Sequence, residues 1–292
     1  MSDTDLLFLS AAEVTVVCGP ATRRGTMSSH FRHVAAVGSS FAAGPGIEPI
    51  ANRAAGRSAR NYPNLVARRL DAELTDLTVS GATTQTVLDT PQRRMRTEFP
   101  PQIEGVPSRT DLVTITVGGN DLNYIGSMFA LGIAGRLKSS PWARPLRALL
   151  PRTQVPNPTA ETVERATVGL CHVVDTVRGR APGARILLVD YLTVIGPGTR
   201  PSRAAPFDEA DIDALRQLGE TVSQVFEAAA SRSGAELVRM RERSGEHALG
   251  SAHPWVGGLP DRLRDLGKVT PFHPTAEGMR AVANAVVEQL KT

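Results

Sequence analysis

The sequence predicts an α/β fold: a central parallel sheet of about five strands covered by helices on both faces. Three observations carry that expectation. Short β-rich runs alternate with longer helical stretches along the chain, and strand, helix, strand in alternation is the signature of parallel crossover units. Glycine and small polar residues follow three successive runs directly. In such sheets the ligand site lies outside the carboxyl ends of the strands, so those turns are the ones to read. Finally, 292 residues with 41% hydrophobic content suffice to bury a full core.

Taken in order, the first strand is Val34 to Val37, an apolar run that breaks into Gly38, Ser39 and Ser40. A buried strand ending in glycine and passing into helix exposes Ser40 beside backbone N–H groups that have no helical acceptor. A helix is expected over Ser58 to Ala72 and a second strand over Leu77 to Val79, followed by Ser80 and Gly81. The third strand, Leu112 to Val117, ends in Gly118, Gly119, Asn120 and Asp121. An apolar insertion around 122–157 comes next; its Pro-containing stretch has no strand pattern, and it is expected to form a helical cap bordering the Asn120 turn, with an acyl-binding lid as the alternative. Then follow a helix over Pro158 to Arg178, a strand over Ile186 to Val189, a helix over Asp208 to Ser233, a strand over Glu236 to Val238 and a last helix over Thr275 to Leu290. His273 stands immediately before that last helix.

No internal repeat is visible, and a single domain over 27–292 is expected behind a peripheral leader, 1–26, that has no clear periodic element. The net charge of +4 comes from 33 basic residues interleaved with 29 acidic ones, and aromatics make up 4% of the chain. A nucleic-acid reader would show a basic stripe with stacking rings, and none appears. No segment has the uninterrupted apolar length of a membrane span. Cys18 and Cys171 are too few for a disulfide framework, and the leader's apolar run follows acidic rather than basic residues. A cytoplasmic chain with free thiols is the expectation. No H-E-x-x-H or clustered Cys/His spacing points to a metal, and no cofactor motif is present.

Together the motifs are specific. G-x-S-x-x-x-G (Gly38, Ser40, Gly44), a glycine after the second strand (Gly81), G-x-N-D (Gly118, Asn120, Asp121) and H-P (His273, Pro274) resemble, in family order, the four blocks of the SGNH, or GDSL-type, serine hydrolases. The resemblance covers the chain from about His33 to the C-terminus. It implies a three-layer, flavodoxin-like α/β/α sandwich and cleavage of a small-molecule ester through an acyl-enzyme on Ser40. The backbone N–H groups of Ser40 and Gly81 and the Asn120 side chain would form the oxyanion hole, and His273 would be the general base. A serine hydroxyl is a weak nucleophile until a positioned imidazole takes its proton.

Two positions depart from the family. Ser39 stands where the family has an aspartate, which removes no reacting group. Thr270 stands three residues before His273, where the family has its acid. A secreted bacterial esterase branch that orients its histidine with a backbone carbonyl, and that carries a segment like Pro254 to Val256, suggests that the Thr270 carbonyl does so here. Asp261 and Asp265 are the alternative orienting acids. The second His-Pro pair, at His253, lacks a helix behind it. The alternatives to an enzyme are an inactive SGNH-like domain that binds an ester or glycan, and a phosphate-binding α/β module, for which no P-loop or dinucleotide motif is present.

Overall fold

A computed structural model describes residues 31–138, 154–262, 265 and 270–292. The leader 1–26, Cys18 and residues 139–153 of the insertion lie outside the described residues. The elements run β1 (His33–Gly38), α1 (Ser40–Ala43), a hairpin of β2 (Ile50–Asn52) and β3 (Arg57–Ser58), α2 (Tyr62–Leu70), β4 (Glu73–Asp76) and α3 (Thr84–Leu88). A second hairpin follows, β5 (Gln92–Arg94) and β6 (Thr97–Phe99), then β7 (Leu112–Thr116), α4 (Tyr124–Lys138), α5 (Ala160–Arg180), β8 (Arg185–Val189), α6 (Glu209–Ser233), β9 (Glu236–Val238), α7 (Met240–Arg243) and α8 (Ala276–Gln289).

The central sheet has five parallel strands in the order β4-β1-β7-β8-β9. Strand order reverses after β1: the chain steps outward to β4 and then returns past β1 to β7. Right-handed crossovers in opposite directions put their helices on opposite faces. Accordingly α2 packs with α8, and α5 packs with α6. This is a three-layer α/β/α arrangement with its switch point between β1 and β7, where ligands bind in open sheets. Residues of β1, β7 and β8 such as Ala35, Val37, Leu112, Ile115 and Leu187 are inaccessible to solvent. That is why these strands read as continuous apolar runs.

The edge strand differs from expectation. Ladder pairing with β1 falls on Glu73–Asp76, and Leu77 to Val79 is the extended continuation, still bonded through Leu77 N–H to the Ala36 carbonyl and Val79 N–H to the Gly38 carbonyl. An edge strand needs no apolar outer flank, so its polar half carries no hydrophobic signal. Helix α2 begins four residues later than the expected Ser58, because the Asn61 side chain caps it by accepting from Asn64 N–H and Pro63 suits its first turn. Part of the apolar insertion forms α4, which buries Tyr124, Met128 and Leu131.

Strands β1 and β7 come closest at the end of β1. Gly38 has φ +156°, and a Cβ there would lie 2.5 Å from the Thr116 carbonyl oxygen. The next N–H, that of Ser39, donates to the same carbonyl at 2.8 Å. Gly38→Ala should therefore cost about 2–5 kcal/mol of folding stability through backbone strain and clash. Urea unfolding measures it; an unchanged midpoint would mean that the two strands can separate at no cost.

Candidate active site

Ser40 opens α1, a single helical turn entered from extended Ser39 and left through Gly44 in the left-handed region. The turn before it is clamped from both sides by Gln102, whose Oε1 accepts from Gly38 N–H at 2.7 Å and whose Nε2 donates to the Gly38 carbonyl at 3.0 Å. Ser40 is buried, yet its hydroxyl meets a ring nitrogen: Oγ lies 2.8 Å from His273 Nε2.

His273 is positioned by a short antiparallel pairing of two loops. Phe272 N–H donates to the Gly257 carbonyl, Gly257 N–H to the His273 carbonyl and Thr275 N–H to the Trp255 carbonyl, around a bridge between Val256 and Pro274. The Thr275 hydroxyl caps α8 by accepting from Gly278 N–H. Buried Phe272 adopts φ +60° and packs against Phe207, with ring centroids 5.4 Å apart. The same ring lies against Gly132 of α4, where a Cβ would sit 3.0 Å from it.

This left-handed residue corrects one expectation. The carbonyl bonded to His273 Nδ1 is that of Pro271, at 2.7 Å, not that of Thr270. Phe272 reverses the chain so that the carbonyl two residues before the histidine, rather than three, turns under the ring. Nor does Asp261 take this place: it pairs with Arg203 on the surface. Nδ1 has its partner in the Pro271 carbonyl rather than in Asp265. A carbonyl only accepts, so Nδ1 carries the proton, Nε2 is the acceptor and the Ser40 hydroxyl donates to it. Burial holds the imidazole down to about 4, with the Pro271 carbonyl opposing the shift. The Phe41 ring, 5.5 Å from the imidazole, forms part of that apolar surrounding.

The other two expected residues sit on neighbouring turns that are bonded to each other. Gly81, at φ +86°, occupies the third position of a turn closed by Ala82 N–H on the Val79 carbonyl, where a side chain would be strained. Asn120 Nδ2 donates to the Ala82 carbonyl at 2.8 Å, leaving its second N–H for another acceptor. Asp121 fastens the same two turns by accepting from the Thr84 N–H and hydroxyl. Burial pushes the Asp121 carboxyl up, and the Thr84 bonds counter it.

Tyr191, just beyond β8, is a residue the sequence reading missed. Buried beneath the site, its hydroxyl lies 2.9 Å from Ser39 Oγ and accepts from Gly119 N–H at 3.2 Å. Its ring packs on Phe41 and edge-on to Phe226. One phenol thus joins the Ser40 turn to the Asn120 turn, and Ser39 is its partner where the family has an aspartate. Gly119 has no room for a side chain, since a Cβ would fall 2.8 Å from the Tyr191 ring. A tyrosine after a strand has no local signature, but its place at the carboxyl end of β8 was a signal that could have been followed. Among the described residues, no group of three His, Cys, Asp or Glu side chains gathers to hold a metal.

The chain is similar to known proteins along most of its length. The chain is 29% identical over 297 residues to Lipase 2 of Streptomyces coelicolor, covering 97% of this chain and 92% of that one. It is 26% identical over 223 residues to a lipase of Streptomyces rimosus, covering 76% and 72%. Among solved structures, the phospholipase A1 of Streptomyces albidoflavus superposes with a TM-score of 0.68 at 21% identity, over 90% of this chain and all of that one. The extracellular lipase of Streptomyces rimosus superposes with 0.65 at 22% identity, over 89% and 99%. Residues 36–281 match the model of the GDSL-like lipase/acylhydrolase family. The chain belongs to that family, and it is an ester hydrolase of the GDSL, or SGNH, type.

Proposed function

We propose that the chain cleaves carboxylic esters through an acyl-enzyme on Ser40, with His273 as base and then acid. The observation that carries this reading is the 2.8 Å contact from Ser40 Oγ to His273 Nε2, with the opposite ring nitrogen held by the Pro271 carbonyl. As Oγ attacks the substrate carbonyl, Nε2 takes its proton and later delivers it to the departing alcohol. Water then repeats the sequence on the acyl-enzyme. The Pro271 carbonyl holds the tautomer and accepts from the imidazolium, supplying a dipole where a triad supplies a charge.

The oxyanion formed by attack would be met by Ser40 N–H, Gly81 N–H and the second N–H of Asn120. Such donors lower the barrier by roughly 3 kcal/mol each when they are rigid. The bonds from Asn120 to Ala82 and from Tyr191 to Gly119 and Ser39 supply that rigidity. A lipid acyl ester is the substrate class suggested by the lipases and the phospholipase A1 among the relatives. The extracellular lipase among them favours export over the cytoplasmic expectation. The family's blocks and the Ser40–His273 contact favour a working enzyme over a binding module.

Ser40→Ala and His273→Ala should each lower kcat on a short p-nitrophenyl ester by about 10⁴-fold or more with the fold intact, and a fluorophosphonate probe should label wild type on Ser40 alone. Label on another residue would move the nucleophile.

The neutral imidazole is the working form, and burial places its protonation near pH 4. The acid limb of kcat/KM should therefore fall near pH 4, with rates flat through pH 6, where an unperturbed histidine of about 6.5 would already be failing. Since the folded value lies below the unfolded one, the contribution of His273 to folding stability should decline as pH falls from about 6.5 toward 4, opposed by buried Asp190, whose carboxyl is pushed up to about 6. An acid limb near 6.5 would place a charge beside His273.

Tyr191→Phe keeps the ring and removes the bridge. It should lower kcat by about 10- to 10²-fold with KM nearly unchanged, because a small displacement of donors acts in the transition state. Combining it with Ser39→Ala should add little to either alone, since both delete one network. Fully additive losses would separate the two residues.

A further inference from the structure

Many surface arginines are matched to carboxylates, as Arg185 is to Glu236 and Arg232 to Glu164, while others stand singly. The two small hairpins beside the Gly81 turn gather four that are not matched. Arg53, between β2 and β3, and Arg93 and Arg96, on the β5–β6 hairpin, are exposed, and among the described residues no carboxylate lies within ion-pair distance of them. The hairpin's one carboxylate, Glu98, stands across from Arg93 in the ladder without pairing to it. Arg94 ties the hairpins together by donating to the Arg53 and Ala54 carbonyls, so its positive charge is held between them with no carboxylate among the described residues within ion-pair distance.

At the tip of the β5–β6 hairpin stands Met95, 69% exposed, the most exposed large hydrophobic side chain among the described residues. Its φ is +56°, a conformation that hairpin turns usually assign to glycine or asparagine. A single exposed apolar residue is ordinary. An apolar tip in a strained turn, ringed by four unmatched arginines, matches a surface that is apolar within and anionic at its boundary. The hairpin is also bonded to the candidate site: Gln92 Nε2 donates to the Ser80 carbonyl, next to Gly81.

We infer that this rim, Arg53, Arg93, Arg94 and Arg96 around Met95, docks the protein on an anionic lipid surface, with Met95 entering the boundary between headgroups and acyl chains. The arginines supply attraction that salt weakens, and the methionine supplies apolar burial that salt leaves alone. The site turn at Ser80 and Gly81 is thereby brought to the surface where lipid esters lie. Docking does not depend on which side chains react, so it can fail while the ester-hydrolase reading stands.

The test uses the full chain with vesicles of phosphatidylcholine alone and of phosphatidylcholine mixed with phosphatidylglycerol. Sedimentation should show binding to the anionic vesicles, weakened by salt. Each arginine contributes about a fivefold factor near such a surface, so the Arg53→Gln, Arg93→Gln, Arg96→Gln triple variant should lose about 10²-fold in partitioning. Its turnover of a soluble p-nitrophenyl ester and its melting temperature should match wild type. In Met95→Trp, tryptophan emission should shift to the blue on anionic vesicles and stay unshifted on neutral ones. Equal binding to both vesicle types, or undiminished binding by the triple variant, would overturn the inference. Binding with an unshifted Met95→Trp emission would do so as well, because it would mark a site for soluble polyanions rather than a membrane boundary.

Discussion

The approach of two backbones at the end of β1 is the constraint on which the site depends. Gly38 passes the Thr116 carbonyl with no space for a Cβ, and Ser39 N–H bonds that carbonyl before the chain turns into α1. A larger residue would push β1 away from β7 and with it the first N–H groups of α1. Gln102 closes the arrangement by satisfying both backbone groups of Gly38. Ser40 is thus presented by a rigid turn rather than by a flexible loop, and preorganisation of this kind is what oxyanion chemistry requires.

The charge balance of the site follows from what surrounds it. Among the described residues no carboxylate faces His273; a carbonyl dipole and the Phe41 ring do. Removing the ring from water outweighs the carbonyl's stabilisation of the imidazolium, so the resting state is neutral. Buried carboxylates nearby do other work. Asp121 joins two turns through Thr84. Asp190, pushed up to about 6 by burial, accepts from Tyr191 N–H and the Ser223 hydroxyl, locking the residue that carries the bridging phenol. Carboxylates of this kind, fully bonded in a low-dielectric surrounding, position the elements they join.

Replacement of the family's aspartate by Ser39 is intelligible in these terms. An aspartate beneath Ser40 would place a charge in a fully buried position, at a cost that only strong partners offset. A serine bonded to a tyrosine makes the same kind of connection between neutral groups. The phenol serves two turns at once, and its ring adds contact with Phe41 and Phe226.

The sequence by itself determined the layer architecture and the blocks. Strands β1, β7 and β8 and the long helices were legible because burial on both faces imposes apolar runs and Asp208 and Thr275 leave cap signatures. The two hairpins were not, since strands of two or three residues have no period to read. Ser40 and His273 could be named from local turn chemistry and family resemblance, but their contact spans 233 positions, and only the folded sheet brings them together. Which carbonyl faces the imidazole, that of Pro271 or of Thr270, depends on the backbone angle of Phe272, which its burial against Phe207 and Gly132 decides. Tyr191 likewise acquires its role only where β8 ends beneath two other turns, because a hydroxyl's partners are set by distance in space and not by position along the chain.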